Sequence, residues 1–319
     1  MTSWQRRFLS FLTLLIAALL TACGGGSGGN ASDTSVTPLS PSAALAQLPG
    51  APVATGDTAT DGFNWFNYRR AMAGLPVLAR NTLLDTAAQG HANYLRVNNT
   101  VSHDQTPGAP GFTGAQLLDR LAAAGYKLVT PYAYGEVISS TSDTSGFYQA
   151  EQLVAAIYHR FVIFEPVFKE AGTGASTANG GYTYFTCDFA ADNGYGPGIG
   201  SGALITYPVA GQTQVPASFL SDNETPDPVP GQNAVGYPIS VHANITGTLT
   251  VQSFTVRQHG AASAMTVRLL THDSDSDTPA SAAAIIPLAV LSAATTYDVS
   301  FSGQVDGAAI TRGWSFTTQ

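Results

Sequence analysis

The chain has 319 residues, of which 44% are hydrophobic and only 11% charged, with a formal net charge of −8. So acidic a chain is poorly suited to nucleic acid, or to an anionic membrane surface as its main partner, because both repel negative charge. Its two cysteines, Cys23 and Cys187, leave no internal disulfide framework once Cys23 is otherwise engaged, so an exported form must rely on its core.

Residues 1–23 read as a signal. Arg6-Arg7 supplies a basic start, and Phe8 to Leu20 is an apolar run too short to span a bilayer but suited to a signal core. The run closes on Leu20-Thr21-Ala22-Cys23, which resembles the bacterial lipobox. The resemblance implies that Cys23 is lipidated and becomes the mature N-terminus. The protein is then exported and held at the bacterial cell envelope, with the outer membrane as the expected surface. Buried lipid methylenes contribute about 0.8 kcal/mol each, so several chains make a lasting anchor. A secretory signal with an incidental cysteine is the alternative. Residues 24–57, rich in Gly, Ser, Ala, Thr and Pro without periodicity, read as a flexible tether.

The length beyond the tether predicts two domains, 58–208 and 209–319. In the first, Asp61 is expected to cap a helix with Trp65, Tyr68 and Met72 on one stripe, ending at Gly74-Leu75-Pro76. Asn81 opens a second helix on which Leu84, Ala88, His91 and Leu95 share a face, so His91 reads as a satisfied core histidine. Asn98-Asn99 is turn chemistry and leads to the polar trio Ser102-His103-Asp104. A capping box at Thr113 opens a third helix with Leu117, Leu118 and Leu121, stopped by Gly125. Tyr134–Ser139 reads as a strand, Gln149–Phe161 as a fourth helix ending in His159-Arg160, and 170–175 and 181–190 as strands. Cys187 sits in the apolar alternation of the last and reads as an inert buried thiol. The pattern is α+β, helices on a mainly antiparallel sheet.

These landmarks, in order, carry a resemblance. Asn67-Tyr68-Arg69-Arg70, Gly74-Leu75-Pro76, His91-Ala92, Ser102-His103, Gly125-Tyr126, Gly135-Glu136, His159-Arg160 and Pro166-Val167-Phe168 resemble the CAP superfamily of cysteine-rich secretory, antigen 5 and pathogenesis-related proteins. The match is nearest its bacterial, disulfide-free branch and covers roughly residues 58–208. It implies an α/β/α sandwich with a cleft lined by His103 and Glu136, and it brings the family's association with sterol and fatty-acid binding and extracellular recognition. The chain departs from the family in reading Gly135-Glu136-Val137 for Gly-Glu-Asn, and in carrying Tyr182-Thr183-Tyr184 where eukaryotic members place a further histidine.

Three chemistries fit these residue types. His103, Glu136 and His159 form a two-histidine, one-carboxylate set able to hold zinc with an open position, as a metal-dependent hydrolase would require. The plainer alternative is that His103 and Glu136 bond to each other and tie a loop to the sheet, while His159-Arg160 complements a helix C-terminus. A serine hydrolase using Ser102 or Ser139 has no supporting Gly-x-Ser-x-Gly elbow. A binding role draws on the aromatic residues around the cleft, Tyr134 and Tyr158 among them, which suit a lipid, sterol or glycan ligand. Turnover is undecided, and ligand binding without catalysis is the leading expectation.

Beyond a Pro-rich, acidic connector at 223–231, short alternating strands predict a β-sandwich. Leu291 to Tyr297 and Trp314-Ser315-Phe316-Thr317-Thr318 resemble the closing half of bacterial Ig-like domains. Asp273-Ser274-Asp275-Ser276-Asp277 imitates a calcium loop, but Thr278 stands where glycine is expected and Ala284 where a closing Glu would bind. It reads as a solvated hairpin loop.

Overall fold

A computed structural model describes residues 40–319, so the expected signal, Cys23 and most of the expected tether lie outside the described residues. Within 40–57 the expected tether is already folded. Ser40 caps helix α1 (Pro41–Leu45) through the N–H of Ala43 at 3.2 Å, and Leu45 and Leu48 pack against the main core.

Helix α2 (Thr58–Met72) starts one turn earlier than the sequence suggests. Asp57 is its cap, accepting from Thr60 N at 2.7 Å. Asp61 lies inside the first turn and folds back onto the N–H groups of Thr55 and Gly56. Strand β1 (Ala79–Arg80) leads into α3 (Thr82–Asn98), capped by Asn81 as expected and ended by Asn99 in the left-handed region at φ 48°. Leu84, Ala88, His91 and Leu95 are all fully buried, so the stripe is as expected. Helix α4 (Leu117–Ala123) begins at Gln116, whose N–H meets Asp119 Oδ2 at 3.0 Å. Thr113 is not its cap, because that residue is held by Gln105 instead.

Strands β2 (Ala133–Thr141), β3 (Glu170–Thr177) and β4 (Thr183–Ala191) join β1 in a sheet of order β1-β3-β4-β2, with only β1–β3 parallel. Helix α3 covers one face. It comes so close that a Cβ on Gly172 or Gly174 would lie 2.1–2.2 Å from the backbone of Asp85 or Gln89, so these β3 positions must be glycine. Helix α2 covers the other face, where Thr173 Oγ1 donates to Ala59 O at 2.8 Å.

The expected fourth helix is two helices, α5 (Gly146–Ala155) and α6 (Ile157–Ile163), with Ala156 extended between them at ψ 122°. The break is held by buried charge. Arg160 turns back to donate to Val154 O at 2.6 Å and also reaches Pro238 O at 2.7 Å. The freed N–H groups of Ile157 and Tyr158 are taken by the Glu224 carboxylate at 2.8 and 2.7 Å. His159 therefore sits in the first turn of α6, while Arg160 complements a helix C-terminus as expected, that of α5, by donating to the carbonyls of Val154 and Ala155.

The remainder is β and antiparallel apart from a 3-10 turn, Ser221–Asn223, and an isolated parallel bridge between Val215 and Thr318. Strands β5 (Ile205–Tyr207), β8 (Ile239–His242), β10 (Val267–Thr271) and β11 (Ala282–Pro287) form a sheet of order β10-β11-β8-β5. Strands β9 (Leu249–Gln258), β12 (Thr296–Val305) and β13 (Ala308–Thr317) form β13-β12-β9. A short pair joins β6 (Ser218–Leu220) to β7 (Ala234–Gly236). The boundary expected after Pro208 falls inside this layer, because β5 pairs with β8. One buried cluster runs through both halves, from Phe185 and Phe189 to Val241, Ile285 and Phe301. At the junction the Phe164 and Tyr207 rings meet edge to face at 4.9 Å, and Arg160 lies 4.8 Å over Tyr207 and 5.0 Å over Tyr237. In the loop between β10 and β11, Thr278 donates to Asp275 Oδ2 at 2.6 Å, so that carboxylate is used in shaping the turn.

Candidate functional site

The cleft begins with His91. Gln105 Oε1 accepts the Thr113 N–H at 2.7 Å, which fixes its amide so that Nε2 donates to His91 Nδ1 at 2.9 Å. The opposite ring nitrogen then donates to Ser102 O at 2.9 Å. Both nitrogens are satisfied by a neutral ring, and burial holds the His91 pKa down at about 4. His91 is thus a peg that fastens the α3–α4 loop and presents the next residue, His103, at the surface.

His103 Nδ1 donates to Glu136 Oε1 at 2.8 Å, with the His103 side chain 60% exposed and Glu136 almost wholly buried. Arg120, fully buried on α4, donates to the other Glu136 oxygen at 2.7 Å and to His103 O at 2.8 Å. Burial opposes the Glu136 charge, but the His103 hydrogen bond and the Arg120 guanidinium outweigh it and hold its carboxyl below the usual range. Directly across the ladder from Glu136 stands Asp188 on β4, fully buried with neither oxygen hydrogen-bonded. Burial and the neighbouring Glu136 charge push the Asp188 carboxyl well above the usual range. The two adjacent carboxyls are thus pushed in opposite directions, and the exposed imidazole is tied to the one held low.

An open pocket of about 270 Å³ lies over this pair, walled by Leu117, Leu118 and Tyr134, with Asp104 and Gln116 at its edge. Tyr134 is 41% exposed and neighbours Tyr132, the ring centres 6.2 Å apart. The cleft is small and amphipathic, with polar groups at its base and apolar and aromatic walls.

His103, Glu136 and Tyr134 are brought together; His159 and Tyr158 are not. His159 Nδ1 is 3.0 Å from Glu224 Oε1, on the first turn of α6. Tyr158 packs on Phe161, their ring centres 6.4 Å apart, and burial with the nearby Asp275 charge raises its phenol pKa. The expected His103–Glu136–His159 zinc set does not assemble, because the connector carboxylate Glu224 holds His159. Among the described residues no group of three or more His, Cys, Asp or Glu side chains is placed to hold a metal ion. The serine-hydrolase arrangement is also absent at its two candidates. Ser102 Oγ accepts the Asp104 N–H at 3.0 Å, and the Ser139 hydroxyl donates to Gln149. Cys187 is fully buried and unpaired, and burial raises its thiol pKa. Arg120, Gln105 and Asp188 were not anticipated. An arginine among the apolar positions of α4, and a carboxylate within an aromatic strand, were the available signals.

Residues 63–189, well under half of the chain, match the family model described as CAP, the cysteine-rich secretory protein family. This segment carries the likeness to that family. Its α3–α4 loop and β2 carry the His103–Glu136 pair. Among solved structures, the chain is similar to an extracellular protein containing an SCP domain from Bacillus anthracis, at 24% identity and TM-score 0.35, with 48% of this chain and 44% of that one covered. It is also similar to an outer surface protein from Borrelia burgdorferi, at 13% identity and TM-score 0.36, covering 44% of this chain and 97% of that one. A venom allergen-like protein of Schistosoma mansoni is a third, at 12% identity and TM-score 0.30, covering 44% and 92%. The chain thus spans less than half the length of the first of these. No curated protein matches it. Among the described residues no helix is long and apolar enough to cross a membrane.

Proposed function

We propose that the chain is an exported, lipid-anchored envelope protein whose CAP domain binds an apolar or lipid-like ligand at the His103–Glu136 cleft, without turnover. The observation that carries the reading is the cleft's division of labour. Leu117, Leu118 and Tyr134 wall an open pocket, and a fixed imidazole–carboxylate pair lies at its base. A ligand with an apolar body and one polar head group, such as a fatty acid, matches both parts. The ring nitrogen of His103 not used by Glu136, an acceptor in the neutral ring, is the natural partner for a hydroxyl or protonated carboxyl head group. The all-β region serves as an attachment layer of the Ig-like kind, and lipidated Cys23 supplies the anchor. The alternative, a metal-dependent hydrolase, lacks its third ligand while Glu224 holds His159.

The test is a titration of a fluorescent fatty acid into the chain beginning after Cys23. Saturable binding weakened at least tenfold by Leu118→Asp, with folding unchanged, is expected. Equal binding by both proteins would remove the ligand from the cleft. The anchor is tested separately by mass spectrometry of the exported protein, in which Cys23→Ala should lose the lipid mass and the membrane association.

A further inference from the structure

A second groove, larger than the cleft at about 500 Å³, lies between the CAP domain and the β layer. One wall is the β2 segment Ile138–Thr141, and the facing wall includes β6, Ser218–Leu220. Strand β2 is the terminal strand of its sheet, paired only with β4, and β6 pairs only with β7. Among the described residues each of these strands has one edge without a strand partner, and both strands line the cavity; on β2 the Ser140 carbonyl accepts the Tyr182 hydroxyl at 3.0 Å, which an added strand would have to displace. Such an edge presents N–H and C=O groups that seek a third strand. The rims are apolar and exposed, with Val101 at 58% and Leu220 at 45%.

The ionisable groups lining the groove are paired. Glu151 is spent on Arg69, at 2.8 Å to both Nε and Nη2, and on Trp65 Nε1 at 2.7 Å. His159 is paired with Glu224. Among the described lining residues no ionisable side chain is left without a partner to attract a phosphate or a carboxylate head group. What the walls offer is backbone hydrogen bonding flanked by apolar rims, which complements an uncharged extended polypeptide.

We propose that this groove is a peptide-binding site in which an extended segment of another protein adds as a strand to the free edge of β2, with β6 flanking it. The occupant is a stretch of four to six residues with β-branched side chains, since Ile138–Thr141 offers an edge about 13 Å long. The site is distinct from the His103–Glu136 cleft and would stand if the lipid reading failed.

The experiment uses the full chain and the uncharged probe peptide acetyl-Ser-Thr-Val-Thr-Val-Ser-amide, with a twin N-methylated at alternate amides. Hydrogen exchange and a fluorescence titration are followed together. Expected are saturable binding, slowed amide exchange confined to 138–141 and 218–220, and at least tenfold weaker binding of the methylated twin. Binding of the twin within twofold, protection elsewhere, or no saturable binding below millimolar peptide would overturn the proposal. Full protection of both strands without peptide would assign the groove to the chain's own preceding segment. Protection that grows with protein concentration would assign it to a second copy. Either result also overturns it.

Discussion

Glu224 and His159 lie 3.0 Å apart, and this pair, with the N–H groups of Ile157 and Tyr158 on the same carboxylate, stitches the connector to the first turn of α6. The Glu224 side chain is fully buried, so its charge is balanced by these donors, by the His159 N–H at 3.2 Å and by the positive end of the helix. Glu224→Ala should destabilise the protein by about 3 kcal/mol, the cost of leaving buried donors without a partner, whereas Glu224→Gln should cost about 1 kcal/mol. Urea denaturation measures both. A loss below about 0.5 kcal/mol for Glu224→Ala would show that solvent replaces the carboxylate.

The close seat of α3 on β3 gives a second expectation. Gly172→Ala would place a Cβ 2.1 Å from Asp85 N, and neither backbone can retreat without opening the sheet face. The cost should exceed about 3 kcal/mol, seen as a lower urea midpoint. Gly180→Ala, where a Cβ meets nothing within 4 Å, should change the midpoint little.

Stability should depend on pH through the buried groups whose protonation the fold shifts, and three of them besides Asp188 have definite ranges. Burial lowers His91 from 6.5 to about 4 and His242 from 6.5 to about 3, so the unfolded chain binds more protons at each between those values and 6.5. Their contribution is full above pH 6.5 and is lost as pH falls toward 4 and 3. Glu165 has the opposite sign. Burial raises its carboxyl from 4.5 to about 7, so its contribution is full below pH 4.5 and is lost as pH rises through 7. Each group changes the slope of unfolding free energy by about 1.4 kcal/mol per pH unit between pH 4.5 and 6.5. In denaturation series across that window, Glu165→Gln should steepen the rise of stability with pH by that amount and His91→Gln should flatten it by the same. Unchanged slopes would mean that water reaches these groups.

Much of the first domain was legible because its signals are local. The α3 stripe, its Asn81 cap, the strand holding Glu136 and the satisfied state of His91 all follow from spacing and side-chain chemistry within one element. The errors arose where a distant residue overrides a local pattern. Residues 149–161 have a continuous helical pattern, yet Glu224, far along the chain, offers a better cap at Ile157 and breaks it. That same carboxylate removes His159 from the cleft, so the zinc set failed for a reason no spacing rule contains. Asp61 and Thr113 are good caps by type, but each found a tertiary partner first. Arg120 and Asp188 complete the site from helix and strand positions that, read alone, look like ordinary core.

We propose that an apolar ligand occupies the pocket over His103 and Glu136, and photocrosslinking of the full chain with a fatty acid carrying a diazirine on its tail, followed by peptide mapping, tests this. Adducts are expected at Leu117, Leu118 and Tyr134 that are competed away by unlabelled fatty acid and reduced in Leu118→Asp. Adducts confined to the groove between β2 and β6, or spread over the surface without competition, would contradict it.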